Sequence, residues 1–141
     1  MKRGWVNAFL LVFLTITIAL TAASCGSTST SMPSVGEEFA LVTDPAEQGR
    51  PAISGNIVVW QDERNGNYDI YGYNLCRGKE FSICTEPDEH GNLDPAISGD
   101  VVVWTDGRYY LRDWEIYGYD LATGTEFPIC TNISWQYDPA I

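Results

Sequence analysis

Hydrophobic residues along this chain fall in short runs rich in β-branched and aromatic side chains, separated by polar and glycine-containing stretches. Ile57–Trp60 is a continuous apolar run, whereas Asp69–Leu75 and Glu80–Cys84 alternate between apolar and polar residues. Short segments of this kind are typical of β-strands. Together with the brief Ala52–Ser54, they predict four strands and no helix.

Glycine-containing pairs lie between these predicted strands. Asn65-Gly66 separates the second strand from the third, and an Asn-Gly pair favours a type I′ hairpin turn. Arg77-Gly78 separates the third strand from the fourth. Turns this short predict that consecutive strands are antiparallel neighbours.

The same pattern is written twice. Pro51–Thr85 returns as Pro95–Thr131, with 21 identical residues at 32 alignable positions. Two partial copies flank the pair, since Gly36–Thr43 matches the end of the first unit and Pro139–Ile141 matches the start of the second. A four-stranded unit that repeats every 40 to 50 residues or so predicts the blade of a β-propeller.

The predicted fold is therefore all-β, an incomplete β-propeller of two four-stranded antiparallel blades with partial flanking strands. Residues 51–85 and 95–131 are the two blades, residues 36–43 the last strand of a preceding blade, and residues 139–141 the start of the next. Propellers close with typically 4–8 blades. The outer faces of both blades are thus expected to stay open and to favour self-association.

The repeat resembles the TolB-type propeller repeat of exported and cell-surface proteins, over about Gly36 to Ile141. That repeat pairs an Asp-x-Arg turn with an acidic residue and Ile-Tyr in the following strand. Asp62 and Arg64 with Asp69-Ile70-Tyr71, and Asp106 and Arg108 with Glu115-Ile116-Tyr117, carry the resemblance here. Because they recur in both units, eight residues are expected to be structural: Trp60, Asp62, Arg64 and Tyr71 in the first unit, and Trp104, Asp106, Arg108 and Tyr117 in the second.

The N-terminus carries an export signal. Basic Lys2 and Arg3 precede the uncharged apolar run Ala8–Leu20, and small residues lead into Cys25. This order resembles the lipobox of lipoproteins, which predicts a signal peptide over residues 1–25 and lipidation at Cys25. A cleaved signal with an incidental cysteine and an uncleaved anchor helix are the alternatives. Residues 26–35 are small and polar, so they predict a flexible tether.

Net charge and cysteine spacing bear on which partners and metals the chain can bind. The formal net charge is −11, which argues against nucleic acid as a partner. No CxxC spacing is present and no cofactor is predicted. Cys76, Cys84 and Cys130 form an odd set beside Cys25, so the sequence leaves their disulfide state open.

No catalytic or metal-binding constellation stands out. His90 is the single histidine and lies in an acidic linker without a GxSxG motif, so an exposed linker residue is the better interpretation. The acidic stretch Asp62–Asp69 suggests a calcium site, but it does not fit the Dx[DN]x[DN]G pattern of a calcium-binding loop, because Arg64 occupies a ligand position. A turn with an internal Asp–Arg pair explains that stretch better.

Candidate recognition residues lie in the longer loop of the second unit: Tyr109, Tyr110, Arg112 and Trp114. Aromatic residues and arginine are enriched at binding surfaces. The alternative is that Trp114 belongs to the blade core and that the tyrosines cover a neighbour. Asn132 begins an Asn-Ile-Ser glycosylation sequon, which matters only in a host that glycosylates exported proteins.

Three functions remain open. The first is a membrane-tethered module on the cell surface or in the periplasm that binds a protein, a peptide or a glycan. The second is a piece of a longer propeller without activity of its own, which the ending of the chain within a repeat supports. The third is part of a propeller hydrolase or lyase that uses acidic loop residues as general acid and base.

Overall fold

A computed structural model describes residues 36–87, 91–108 and 114–141. These residues form eight strands: β1 (Gln48–Ser54), β2 (Ile57–Asp62), β3 (Asp69–Asn74), β4 (Lys79–Cys84), β5 (Asn92–Ser98), β6 (Val101–Asp106), β7 (Glu115–Asp120) and β8 (Thr125–Cys130). Neighbouring strands are antiparallel, in two sheets of order β1-β2-β3-β4 and β5-β6-β7-β8. We call these sheets blade 1 and blade 2. The predicted all-β architecture of two four-stranded blades is confirmed.

The predicted leader, the tether and the lipidation site Cys25 lie outside the described residues. In the part of the chain that is described, no helix is long and apolar enough to cross a membrane.

The first hairpin of each blade has a two-residue turn. Gly55-Asn56 joins β1 to β2, and Gly99-Asp100 joins β5 to β6. The two glycines have φ angles of 56° and 57°. A positive φ at the first turn residue matches the twist of the strands, and glycine adopts it without steric cost.

The prediction of a type I′ turn at Asn65-Gly66 is wrong. Residues 63–68 form a longer loop in which the Gly66 N–H donates to the carbonyl oxygen of Glu63 at 2.9 Å. Side chains hold the loop open, because Asp62 Oδ1 accepts the Arg64 N–H at 3.0 Å and the Asn65 amide donates to Asp69 Oδ2 at 2.6 Å. Side-chain bonds of this kind replace the compact backbone turn.

The main core lies between the two blades. One buried cluster combines residues of both sheets: Val59, Ile70, Ile83 and Cys84 of blade 1 with Ile97, Val102, Trp104 and Tyr117 of blade 2. Each blade is thus stable because its neighbour removes an apolar face from water.

The flanking segments differ from the prediction. Residues 36–43 were expected to form a last strand and 139–141 a first strand, yet neither is a strand in the structure. Neither segment is hydrogen-bonded into one of the described sheets, so its backbone groups lack the neighbouring strand that a strand needs. Leu41 and Val42 instead pack on a second cluster formed by Val58, Trp60 and Leu75. The outer face of blade 1 is therefore partly covered, not fully open as expected.

The C-terminal segment keeps the backbone geometry of the repeat. The Gln136 N–H donates to the Trp114 carbonyl at 3.0 Å, just as the Asn92 N–H donates to the Tyr68 carbonyl at 2.6 Å. Asp138 has a φ of 49°, and the residue 44 positions earlier, Asp94, has 52°. The segment therefore begins to repeat the entry into a blade, although it forms no strand.

Candidate functional site

A cluster around a buried carboxylate is the most regular feature of each blade. In blade 1, Asp62 lies at the end of β2 and is fully buried. Its Oδ2 accepts the Trp60 Nε1–H at 2.9 Å and an Arg64 Nη2–H at 2.6 Å, while its Oδ1 accepts the Arg64 Nε–H at 3.0 Å. Two parallel bonds between guanidinium and carboxylate fix both groups.

The Arg64 guanidinium also contacts the Tyr71 ring and a second carboxylate, Glu80. Its Cζ lies 4.2 Å from the centroid of the Tyr71 ring, and Trp60 stacks on the same tyrosine with centroids 6.3 Å apart. Arg64 Nη1 donates to Glu80 Oε1 at 2.6 Å. A half-buried cation between two carboxylates and an aromatic face is a stable arrangement.

Blade 2 repeats the cluster. Arg108 donates to Asp106 through Nε and Nη2 at 2.8 and 2.6 Å and pairs with Glu126 Oε1 at 2.8 Å. Its Cζ lies 4.0 Å from the Tyr117 centroid. The Nε1–H of Trp104 donates to Asp106 Oδ2 at 3.0 Å. The structure thus brings the eight repeat residues together in two equivalent groups of four, one in each blade.

Electrostatics keep these groups ionised. Burial of Asp62 would raise its pKa, but the hydrogen bonds from Arg64 and Trp60 outweigh burial, so the pKa lies below the usual 3.8. The hydrogen bonds to Asp62 and Glu80 raise the pKa of Arg64. A carboxylate held this firmly is a poor proton donor at neutral pH. The cluster is therefore suited to holding a blade together.

Sequence reasoning missed the two glutamates of the clusters. Glu80 and Glu126 lie on β4 and β8, 16 and 18 residues beyond their arginines. One signal was available in the sequence: both glutamates stand at the same repeat position, directly before a phenylalanine that both copies share, Phe81 and Phe127.

The acidic loop at 62–69 holds its own polar groups. Both Asp69 oxygens accept side-chain amides, from Asn65 at 2.6 Å and from Asn67 at 3.2 Å. No group of three or more His, Cys, Asp or Glu in the described residues is arranged to hold a metal ion. His90 lies outside those residues.

An exposed aromatic group lies at the end of blade 2 where β7 begins. Of the predicted recognition residues, Tyr109, Tyr110 and Arg112 are outside the described residues, whereas Trp114 is described. The Trp114 ring lies 6.3 Å from the Tyr137 ring, and Tyr137 meets Trp135 edge to face at 6.0 Å. We call Trp114, Trp135 and Tyr137 the aromatic cluster.

The aromatic cluster is open to solvent at one side. Trp135 is 67% exposed and Tyr137 48%. Sequence reasoning missed these two residues, although they stand where the preceding copy has Gly91 and Leu93. Exposed aromatic groups that are already packed together cost little entropy when they bind a partner.

The glycosylation sequon and two of the cysteines lie within the described residues. Asn132 of the sequon is exposed, and the Ser134 N–H donates to its carbonyl at 2.7 Å. Cys84 and Cys130 are free thiols, Cys84 buried and Cys130 half-buried. Burial raises the pKa of the Cys84 thiol to about 12.

Comparisons with known proteins rest on structure. No protein-family model and no curated protein matches the chain. TolB from Acinetobacter baumannii superposes with a TM-score of 0.62 at 20% identity, over 77% of this chain and 27% of that one. A putative TolB from Agrobacterium tumefaciens gives 0.54 at 19% identity, over 71% of this chain and 36% of that one.

The tricorn protease is also similar in structure, with a TM-score of 0.51 at 15% identity over 64% of this chain and 8% of that one. This chain thus spans about a third or less of each of these proteins. Identities this low establish the fold. The described part of the chain has the fold of two neighbouring blades of a TolB-type β-propeller.

Proposed function

We propose that the chain is an exported binding module that presents the edge of blade 2 to a protein, a peptide or a glycan. The aromatic cluster carries the proposal, because Trp135 and Tyr137 are exposed and meet edge to face, and Tyr137 also packs at a tilt on Trp114. Large, rigid aromatic side chains are the residues that contribute most to recognition.

The polar clusters of the blades support binding over catalysis. Asp62 and Asp106 are buried and engaged by arginine and tryptophan, so neither reaches a substrate. These two carboxylates are therefore not placed to act as the general acid and base of a hydrolase or lyase.

We further propose that Cys25 is lipidated and that residues 26–35 tether the blades to a membrane. Replacing Cys25 with Ser should release the exported protein from membranes. An unchanged membrane fraction would contradict lipidation and favour an anchor helix.

The binding proposal is tested with arrays of immobilised oligosaccharides and peptides. The unchanged chain should bind a subset of them, and Trp135→Ala should weaken that binding by about tenfold or more. Ile133→Ala is the matched control, since Ile133 is 87% exposed and lies two residues away. Equal binding by all three chains, or no binding by any, would contradict the proposal.

A further inference from the structure

The Asn65-Gly66 pair, which forms no hairpin turn, has a chemical property of its own. It is the only Asn-Gly pair in the chain, and blade 2 has no asparagine between Arg108 and Glu115. Both residues of the pair are exposed. An asparagine that precedes glycine is especially prone to deamidation, because no side chain on the next residue shields the backbone nitrogen. The pair is therefore a candidate for spontaneous covalent modification.

Deamidation here is an internal substitution at the side-chain amide. The backbone nitrogen of Gly66 loses its proton and attacks Cγ of Asn65, and the new C–N bond closes a succinimide ring. The Cγ–Nδ2 bond breaks, and Nδ2 takes up a proton and leaves as ammonia. Water then opens the ring at either carbonyl, which gives aspartate or isoaspartate. The reacting atoms must first approach each other in the correct orientation, so the geometry of the loop controls the rate.

The native loop engages both reacting groups elsewhere. The Gly66 N–H donates to the carbonyl oxygen of Glu63 at 2.9 Å. The Asn65 Nδ2 donates to Asp69 Oδ2 at 2.6 Å and to the Tyr71 hydroxyl at 3.0 Å. The ring can close only after these hydrogen bonds are broken, and each of them stabilises the native loop. The native geometry therefore opposes deamidation.

The rest of the loop is anchored to buried carboxylates. Asp62 and Asp69 pair at the ends of β2 and β3, and both are buried. Asp62 Oδ1 accepts the Arg64 N–H at 3.0 Å. The Asn67 amide donates to Asp69 Oδ1 and to the Glu86 carbonyl, each at 3.2 Å. Release of Asn65 and Gly66 therefore requires local unfolding of residues 63–68.

The product of deamidation does not fit the native loop. An aspartate at position 65 would place a carboxylate where an amide now donates to Asp69 at 2.6 Å. Asp69 would lose that donor and face a like charge, and both effects are unfavourable at a buried carboxylate. An isoaspartate would also lengthen the backbone of the loop. The modified loop thus cannot restore its native contacts.

From these contacts we propose that Asn65 is a deamidation site that the native loop protects. Modification takes place when residues 63–68 unfold locally, and the new carboxylate then prevents the loop from refolding. Each modified chain keeps a covalent record of that unfolding. The site belongs to blade 1 and is independent of the binding function proposed for the aromatic cluster of blade 2.

Tandem mass spectrometry of the purified chain, after timed incubation at mildly alkaline pH in isotopically labelled water, measures conversion at Asn65 and the label that ring opening introduces. Conversion should be at least about tenfold faster in guanidinium chloride than in the folded chain, because the protecting hydrogen bonds are then lost. Asn67→Ala should speed conversion in the folded chain by about threefold or more, since it removes two anchoring bonds. Asn56→Ala, in the turn between β1 and β2, should leave the rate unchanged.

Urea denaturation tests the effect of the product. Asn65→Asp should raise the equilibrium constant for unfolding by about tenfold or more, because Asp69 loses a donor and gains a like charge. Asn56→Asp is the matched control, since Asp100 stands at this position in blade 2, and should stay within about twofold. Three results would overturn the proposal: equal conversion in the folded chain and in guanidinium chloride, no conversion in guanidinium chloride, or equal destabilisation by Asn65→Asp and Asn56→Asp.

Discussion

Arg64 holds Asp62 through two parallel hydrogen bonds, from Nε to Oδ1 at 3.0 Å and from Nη2 to Oδ2 at 2.6 Å. The carboxylate is fully buried, so its charge depends on this one cation, on the Trp60 indole and on the Arg64 backbone N–H. Removal of a single partner from a buried pair leaves an uncompensated charge.

Arg64→Ala should lower the free energy of unfolding by about 3–5 kcal/mol, because it strands the buried Asp62 carboxylate. Arg64→Lys should cost less, roughly 1–2 kcal/mol, since the charge remains but the second parallel hydrogen bond is lost. Urea denaturation measures both. Arg77→Ala, at an exposed turn position, serves as the control and should stay within about 0.5 kcal/mol. An equal loss with Arg77→Ala would contradict the assignment.

Acid should destabilise the fold through Asp62. Its pKa in the folded chain lies below the usual 3.8, so the stabilisation is present above that value and is lost as the pH falls through the folded pKa. Asp62→Asn should therefore lower stability at pH 7 and flatten the loss of stability below about pH 4. Urea titrations at a series of pH values test this. The exposed Asp100→Asn is the control and should leave the dependence of the unfolding free energy on pH unchanged. The prediction is refuted if Asp62→Asn leaves that dependence unchanged while Asp100→Asn alters it.

Gly72→Ala should destabilise blade 1 by about 1–3 kcal/mol, because it overpacks a filled space. A Cβ at Gly72 would lie 2.5 Å from Cζ of Phe81. Gly49→Ala is a matched control, since its Cβ would meet Gln61 at an ordinary 3.7 Å. Thermal unfolding compares the two. If Gly72→Ala and Gly49→Ala melt alike, the Phe81 ring is free to move away.

Cys130 should react with a maleimide long before Cys84 does. Burial raises the pKa of the Cys84 thiol to about 12, so almost no thiolate forms at neutral pH. Cys130 holds the same repeat position in blade 2 and is only half-buried. Peptide mass mapping after timed exposure to the maleimide gives the two rates. Equal rates would show that Cys84 is accessible in the folded chain.

The blades could be predicted from the sequence because each strand carries its own local signal. Trp60 and Tyr71 stand in β-branched and aromatic runs, and the recurrence of those runs gave the strand order. The link between Arg64 and Glu80 could not be predicted in this way. The Arg64–Glu80 ion pair joins the loop between β2 and β3 to β4, the strand on the other side of β3. In the sequence, a glutamate near the start of a strand is indistinguishable from a residue that faces solvent.

The site was harder to predict than the fold. Trp114 was singled out, but its contact with Tyr137 depends on where residues 131–137 lie, and those residues have no strand pattern. The cover that Leu41 and Val42 provide for Trp60 was also missed. The sequence match to the end of a blade indicated a strand there, whereas only the apolar contact of such a strand is kept.

All members of the polar cluster in blade 1 come from a single repeat, since Trp60, Asp62, Arg64, Tyr71 and Glu80 lie within residues 51–85. Tandem duplication of the corresponding stretch of DNA would therefore copy a charged interior with every counterion included. A new blade made in this way has a counterion for each buried charge from the start, without any contribution from its neighbours. Only its apolar faces need neighbours, and the parental blade already has the matching surface.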